Sequence, residues 1–134
     1  MVTPAENTDV IEGRMEKGTG IVTVIKQGKE PQALPGYWTN EDGPDWGYVG
    51  IGPEDMALSI LVYCCALPGR KDGKLPSRGL AETLPFEVYV LEVVAKLGDT
   101  WAITVDQVRT WIHGYYERAE ADLELDRLEY EADE

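Results

Sequence analysis

The sequence predicts an α+β fold, in which a small N-terminal antiparallel β-hairpin or sheet packs against about three helices, the last one long and acidic. Three observations support this class. Residues 21–25 are β-branched at every position, which is typical of a strand. After Pro53, apolar side chains recur at helical spacing. The final twenty residues combine nine acids with a thin apolar stripe, which indicates a helix that extends beyond the core.

The elements follow in order along the chain. A first strand is expected at 11–17, a Gly-Thr-Gly turn at 18–20, and a second strand that ends before Gly28. Residues 29–44 contain three prolines and predict irregular chain. Helices are expected near 53–67, 85–97 and 105–130, with a short extended segment at 101–103. Thr104 and Gln107 form a capping-box pattern that predicts the start of the last helix.

The 134 residues are enough for one modest core, and we divide them into three parts. Residues 1–10 are polar and predict a flexible N-terminus. Residues 11–114 form the single globular domain. Residues 115–134 form an acidic C-terminal helical extension, whose apolar positions are Ala121, Leu125, Leu128 and Ala132.

The charge balance limits the class of partner. The chain has 25 acidic and 12 basic residues, for a formal net charge of −13, which disfavours nucleic acids and anionic membranes and favours a basic partner surface. The basic residues concentrate at Arg70, Lys71, Lys74 and Arg78. The N-terminus lacks the features of a signal peptide, and no apolar run approaches the length of a membrane span. We therefore expect a soluble protein of the cytoplasm.

The residue types that catalysis and metal binding need are sparse. Cys64 and Cys65 are neighbours, which disfavours a disulfide between them, and His113 is the single histidine. We expect the cysteines to be reduced and buried in an apolar helix stripe. The sequence predicts no enzyme, no cofactor and no metal site.

The stretch from Asp45 to Leu61, DWGYVGIGPEDMALSIL, is the segment most similar to a ligand site. Its glycines have the order G-x-x-G-x-G, which differs from a dinucleotide fingerprint, and Pro53 follows where a phosphate site needs a backbone amide. Glu54 and Asp55 place negative charge in the first helical turn, where they satisfy the dipole and repel phosphate. We interpret the glycines as a tight turn from Trp46 and Tyr48 into the helix.

The same motif, WGYVGIGPEDMALSIL, resembles the W-G-Y-x-G-x-G-P helix-start signature of an uncharacterised domain family found in prokaryotes, phages and plasmids. A second landmark of that family, W-x-L-T before a last helix, is similar to residues 101–104. Members of that family resemble W-G-Y-G-G-S-G-P more fully, with glycine and serine where this chain has Val49 and Ile51, and the acidic extension is a further departure from the family pattern. The family has no known function, so the resemblance implies a fold and a mobile-element setting rather than an activity.

Together these features favour a small acidic, non-enzymatic binding protein that occupies a basic surface of a protein or ribonucleoprotein. Given the implied mobile-element setting, the expected partner is a host defence complex that grips nucleic acid, and the concrete hypothesis is an anti-CRISPR or anti-restriction inhibitor acting in the host cytoplasm. The expected partner-binding residues are carboxylates of the extension and three aromatic residues: Glu117, Glu120, Asp122, Glu124, Asp126, Glu129, Glu131, Trp38, Trp46 and Tyr48.

Two alternatives stay open. The chain can be a housekeeping or accessory domain with a solvated acidic tail, or a nucleic-acid-binding module that uses the basic loop 70–78. The aromatic residues also have an alternative role, which is packing over the sheet and the first helix.

Overall fold

A computed structural model of the chain describes residues 4–39, 43–65 and 75–132, with the side chains of residue 126 and residues 129–132 left out, and it confirms the α+β class. Within these residues the antiparallel sheet has the strand order β3-β2-β1-β4. The strands are β1 (Val10–Glu16), β2 (Thr19–Ile25), β3 (Gln32–Ala33) and β4 (Thr100–Thr104). The helices are α1 (Ile51–Cys64), α2 (Arg78–Ala81), α3 (Phe86–Glu92) and α4 (Val105–Ala132).

The hairpin between β1 and β2 turns one residue earlier than predicted. Lys17 and Gly18 have φ of 51° and 81°, so both central residues of this two-residue turn are left-handed. Thr19 therefore pairs with Glu16, and the expected turn at 18–20 is wrong. Gly20 belongs to β2, where a Cβ would lie 2.1 Å from the carbonyl oxygen of Pro44. Gly20 therefore allows the segment that contains Pro44 to approach β2 closely, and it does not form the turn.

Residues 100–104 form a full edge strand of the sheet. The sequence predicted a short extended segment there, and the structure pairs it antiparallel with β1, with Ile11 opposite Ile103 and Gly13 opposite Trp101. The indole of Trp101 covers Gly13, where a Cβ would lie 2.2 Å from the ring. Residues 29–44 also differ from the prediction of wholly irregular chain, since Gln32 and Ala33 form β3 on the other edge.

Helix α1 is the centre of the core. The sequence predicted one apolar stripe, but nearly all of its side chains are buried, including Ser59 and Asp55. Its buried apolar residues belong to one cluster with Ile11 and Val24 of the sheet. The helix begins at Ile51 rather than Pro53, so Pro53 lies in the first turn, where its missing amide costs no helical hydrogen bond.

The predicted helix at 85–97 is shorter than expected. Helix α3 ends at Glu92, and a separate 3₁₀ turn covers Val94–Lys96. The carbonyl of Val94 accepts hydrogen bonds from the amides of Gly47 and Leu97, so it serves another segment instead of continuing an α-helix. Helix α2 was not predicted, and the hydroxyl of Ser77 caps it by accepting from the Leu80 amide at 3.2 Å.

Helix α4 begins at the predicted capping box. The Thr104 amide donates to Gln107 Oε1 at 2.8 Å, and the Gln107 amide donates to Thr104 Oγ1 at 3.1 Å. Its first turns pack on the core through Val105 and Val108, which are buried. From Glu120 onward, every described side chain of α4 is exposed.

The segment assigned to a flexible N-terminus contacts this helix. Arg109 of α4 donates to the carbonyl oxygen of Ala5 at 2.9 Å and to Asn7 Oδ1 at 2.6 Å, and also to the carbonyl oxygen of Cys64 at 2.9 Å. Asp9 is fully buried, and Val10 already belongs to β1. The globular domain therefore includes at least residues 5–10.

Candidate partner-binding surfaces

The glycine turn before α1 is built around Asp45. Its carboxylate accepts from the Trp46 amide at 2.9 Å and from the Tyr48 hydroxyl at 2.7 Å. A Cβ on Gly50 would lie 2.9 Å from the Tyr48 ring, and one on Gly52 would lie 2.9 Å from the Tyr48 hydroxyl. Gly50 and Gly52 therefore leave room for the Tyr48 side chain at the start of the helix. In a phosphate loop this position would be occupied by the bound anion. The hydrogen bond to Asp45 raises the pKa of Tyr48, which keeps its hydroxyl a donor.

Gly47 provides the bend of this turn. Its φ of 91° is in the left-handed region that favours glycine. Its amide donates to the Val94 carbonyl at 3.1 Å, and the Trp46 indole donates to the Gly98 carbonyl at 2.7 Å. The turn is thus held against the 3₁₀ turn and Gly98 by one backbone and one side-chain hydrogen bond to their carbonyl oxygens.

The three predicted partner-binding aromatic residues lie in different environments. Trp46 is only 4% exposed and meets Trp101 edge-to-face, with 5.5 Å between ring centroids. This burial removes Trp46 from the candidate surface, because a partner cannot reach an indole inside the core. Trp38 is half-buried beside Gly36, while Tyr48 is 46% exposed. Exposed Val49 and Ile51, which sequence reasoning did not select, adjoin Tyr48 in the chain.

Asp55 has a different role from the one predicted. We expected it to act on the helix dipole, but its Oδ2 accepts from the Thr39 amide at 3.1 Å and from the Thr39 hydroxyl at 2.6 Å. Its Oδ1 lies 2.8 Å from an Arg78 nitrogen. The Asp55 carboxylate therefore connects helix α1 with two other segments. One is the chain around Thr39, before the glycine turn, and the other is helix α2. Sequence reasoning had no signal for this, because both partners are distant in the chain.

Of the four basic residues predicted to form the candidate loop 70–78, only Arg78 lies within the described residues. Arg78 is bound to Asp55 and also to Glu82 at 3.0 Å, so its charge is committed within the domain. Arg70, Lys71 and Lys74 lie outside the described residues.

The carboxylates of α4 form an extended charged surface on the described part of the helix. Glu117, Glu120, Asp122 and Glu124 have exposed side chains, while those of Asp126, Glu129 and Glu131 lie outside the described part. Glu117 lies 3.1 Å from His113, and Glu124 accepts from Arg127. Arg118 pairs instead with Glu92 of α3, at 3.5 Å. Within the described residues, Glu120 and Asp122 have no ion pair.

The described residues contain no group of three or more histidine, cysteine or acidic side chains that could hold a metal ion. None of the helices in this part of the chain is both long enough and apolar enough to cross a membrane.

Comparison of the chain with family models, with curated proteins and with solved structures finds no match.

Proposed function

We propose that the chain is a non-enzymatic binding protein that uses the outer part of α4 to occupy a basic surface of another macromolecule. The observation that carries this proposal is the exposure of every described side chain of α4 from Glu120 to Leu128, combined with the excess of carboxylates in this part of the sequence. Because none of the described side chains in this outer part of α4 is buried in the domain, a partner can reach them.

The charge density of the helix supports a nucleic-acid-like role. Residues 117–131 carry seven acids and two arginines. At 1.5 Å per residue they span about 21 Å, which gives roughly one net negative charge per 4 Å of axis. A single nucleic-acid strand carries one phosphate per ~3.4 Å. The charge spacing along the helix is therefore close to that of a nucleic-acid strand, which is the usual ligand of channels lined by lysine and arginine.

The concrete form of the proposal is an inhibitor of a host defence complex that grips nucleic acid, of the anti-CRISPR or anti-restriction kind. The resemblance of residues 46–61 to a family of phages and other mobile elements supports that setting. Electrostatic steering would raise the association rate, and added salt would weaken the complex.

The rival function of a nucleic-acid-binding module receives less support. It relies on the basic loop 70–78, and Arg78 is already paired with Asp55 and Glu82. The other alternative is a domain whose acidic tail is solvated and has no partner. It predicts that reversing the charges of α4 changes only the solubility of the protein.

The test is capture of a partner from the native host by three forms of the protein. The first is wild type, and the second carries Glu120→Lys, Asp122→Lys and Glu124→Lys. The matched control carries the same charge change at three exposed acids elsewhere, Glu12, Glu30 and Glu87. All six positions are exposed, so each substitution should change stability by no more than about 0.5 kcal/mol.

Wild type and the control variant should capture the same complex, the α4 variant should not, and the partner's nucleic acid should displace the wild type. Equal capture by all three forms would mean that α4 is not the binding surface.

A further inference from the structure

The exposed apolar residues of α4 lie on two different sides of the helix. Successive residues are rotated by about 100°, so Leu125 and Leu128 lie about 60° apart, on the same side as Gly114 and Ala121. These four residues are called the outer stripe. Leu123 lies about 160° from Leu125 and belongs to another side.

The outer stripe faces away from the core. Val108 is buried against the domain, and Ala121 is rotated about 140° from it. Leu125 is 58% exposed and Leu128 49% exposed. No described residue of the chain covers these two leucines.

A shallow hollow lies at the end of the outer stripe nearest the domain. Gly114 has no side chain, and a Cβ there would meet nothing within 4 Å. The hollow has a volume of about 480 Å³ and is lined by Thr110, Trp111, Gly114, Glu117, Arg118 and Ala121. It offers a place for an apolar side chain of a bound partner, beside Trp111.

Carboxylates flank the outer stripe on both sides. Glu117 is rotated about 40° from Ala121, and Glu124 about 40° from Leu128. On the opposite flank, Asp122 is rotated about 60° from Leu125. The outer stripe is therefore an apolar seam with two carboxylates on one flank and one on the other, and these three carboxylates are called the acidic rims. Arg118 lies about 20° from Leu125 and pairs with Glu92 of α3. In coiled coils, flanking charges at the e and g positions select a partner helix.

We propose that the outer stripe docks one basic amphipathic helix of a partner protein, with apolar side chains on Leu125 and Leu128 and lysines or arginines beside the acidic rims. This inference rests on the proposed function and names the partner's chemistry. From Gly114 to Leu128 the stripe spans about 21 Å, which matches a partner helix of roughly fourteen residues. A second copy of the chain fits poorly, because its own carboxylates would face the rims.

The probes are three synthetic helical peptides of about 18 residues. The first carries leucines at heptad spacing with lysines on both flanks. The second has glutamine in place of every leucine and the same charge, and the third has glutamate in place of every lysine. Binding is measured by fluorescence anisotropy in about 0.15 M salt, where weak long-range attraction is largely screened.

The wild-type chain should bind the leucine–lysine peptide at least about ten-fold more tightly than the glutamine–lysine peptide, and the glutamate peptide not at all. Leu125→Gln with Leu128→Gln should remove that ten-fold preference. The matched control, Leu123→Gln, alters a leucine that is 69% exposed on another side, and should leave the preference unchanged. All three positions are exposed, so circular dichroism of both variants should match the wild type.

Three results would overturn the inference. Equal binding of both lysine peptides would show recognition by charge alone, which leaves the proposed function standing. Loss of the preference in Leu123→Gln but not in the double variant would place the docking face elsewhere. Self-association of the wild type that the double variant lacks would make a second copy the occupant. By contrast, undiminished host capture by the charge-reversed α4 variant would refute the proposed function, whatever the peptides do.

Discussion

Asp9 has a buried carboxylate, and a substitution at this residue tests how much its ion pair with Lys26 contributes to the stability of the domain. Its Oδ2 accepts from Lys26 Nζ at 2.6 Å, from the Tyr63 hydroxyl at 2.9 Å and from the Glu6 amide at 3.0 Å. Burial alone would raise the pKa of Asp9, but these donors outweigh it, and the pKa lies below the ordinary value of 3.8. We choose Asp9→Asn as the perturbation, because it removes the charge and nearly keeps the shape.

The expected loss of stability follows from the environment of the pair. Breaking a buried ion pair costs about 3–5 kcal/mol, because one charge is left without a partner. Lys26 keeps 14% of its side chain exposed and still donates to the Pro4 carbonyl at 2.9 Å, so we expect the lower end, about 3 kcal/mol. For a chain of this size that corresponds to roughly 10 °C in Tm, or about 2 M in the urea midpoint.

The assay is urea unfolding followed by tryptophan fluorescence, over a series of pH values. Because the folded pKa of Asp9 is lowered, its contribution is complete above the unfolded pKa near 3.8 and declines as the pH falls through the folded pKa. The difference between wild type and Asp9→Asn should therefore be constant from about pH 7 to pH 5 and become smaller below about pH 4.

The control is Asp99→Asn, whose side chain is exposed and which should change stability by less than about 0.5 kcal/mol. If Asp9→Asn and Asp99→Asn unfold at the same urea concentration at pH 7, the buried pair contributes nothing and the reasoning is refuted. A difference that persists unchanged at low pH would mean that packing, not charge, explains the loss.

Two further predictions concern glycines and thiols. Gly13→Ala should destabilise the domain by about 1–3 kcal/mol in urea unfolding, because the new Cβ meets the Trp101 ring at 2.2 Å. Gly114→Ala should instead stabilise by about 0.5–1 kcal/mol, since nothing lies within 4 Å and α4 gains helix propensity; equal signs for the two substitutions would contradict this account. Burial raises the pKa of the Cys64 and Cys65 thiols, so Ellman's reagent at about pH 8 should react at least about ten-fold more slowly with the native chain than with the chain in urea. Complete labelling of the folded protein within the mixing time would contradict the burial of Cys64 and the partial burial of Cys65.

Elements with strong local signals were predicted well. The β-branched run at 21–25 forms most of β2, and Thr104 with Gln107 caps α4 as the pattern indicated. Boundaries were less accurate where a distant group intervenes. Helix α3 ends at Glu92, and the 3₁₀ turn after it receives a hydrogen bond from the Gly47 amide at the Val94 carbonyl, a contact that no property of residues 85–97 alone reports.

The candidate partner-binding surface of α4 also has some features that the sequence predicts and others that depend on the tertiary structure. The acidic character of α4 and its extension beyond the core follow from the sequence, because a helix with many charges and few apolar positions cannot bury itself. The direction in which its leucines point depends on which side of α4 packs on the domain. That side is set by Val105 and Val108 in the structure, so Leu125 and Leu128 became an outward stripe rather than a continuation of the core face.

The sequence by itself determined the α+β class, the hairpin, the capped acidic helix and the negative charge, because propensity, capping and charge act over a few neighbouring residues. Only the tertiary structure decided which polar and aromatic residues are buried. Trp46 and Tyr48 are two positions apart, yet one is in the core and the other is half exposed. Asp9 finds its partners 17 and 54 residues away, in Lys26 and Tyr63. Burial of such a group depends on contacts between distant segments, and these exist only once the whole core has assembled.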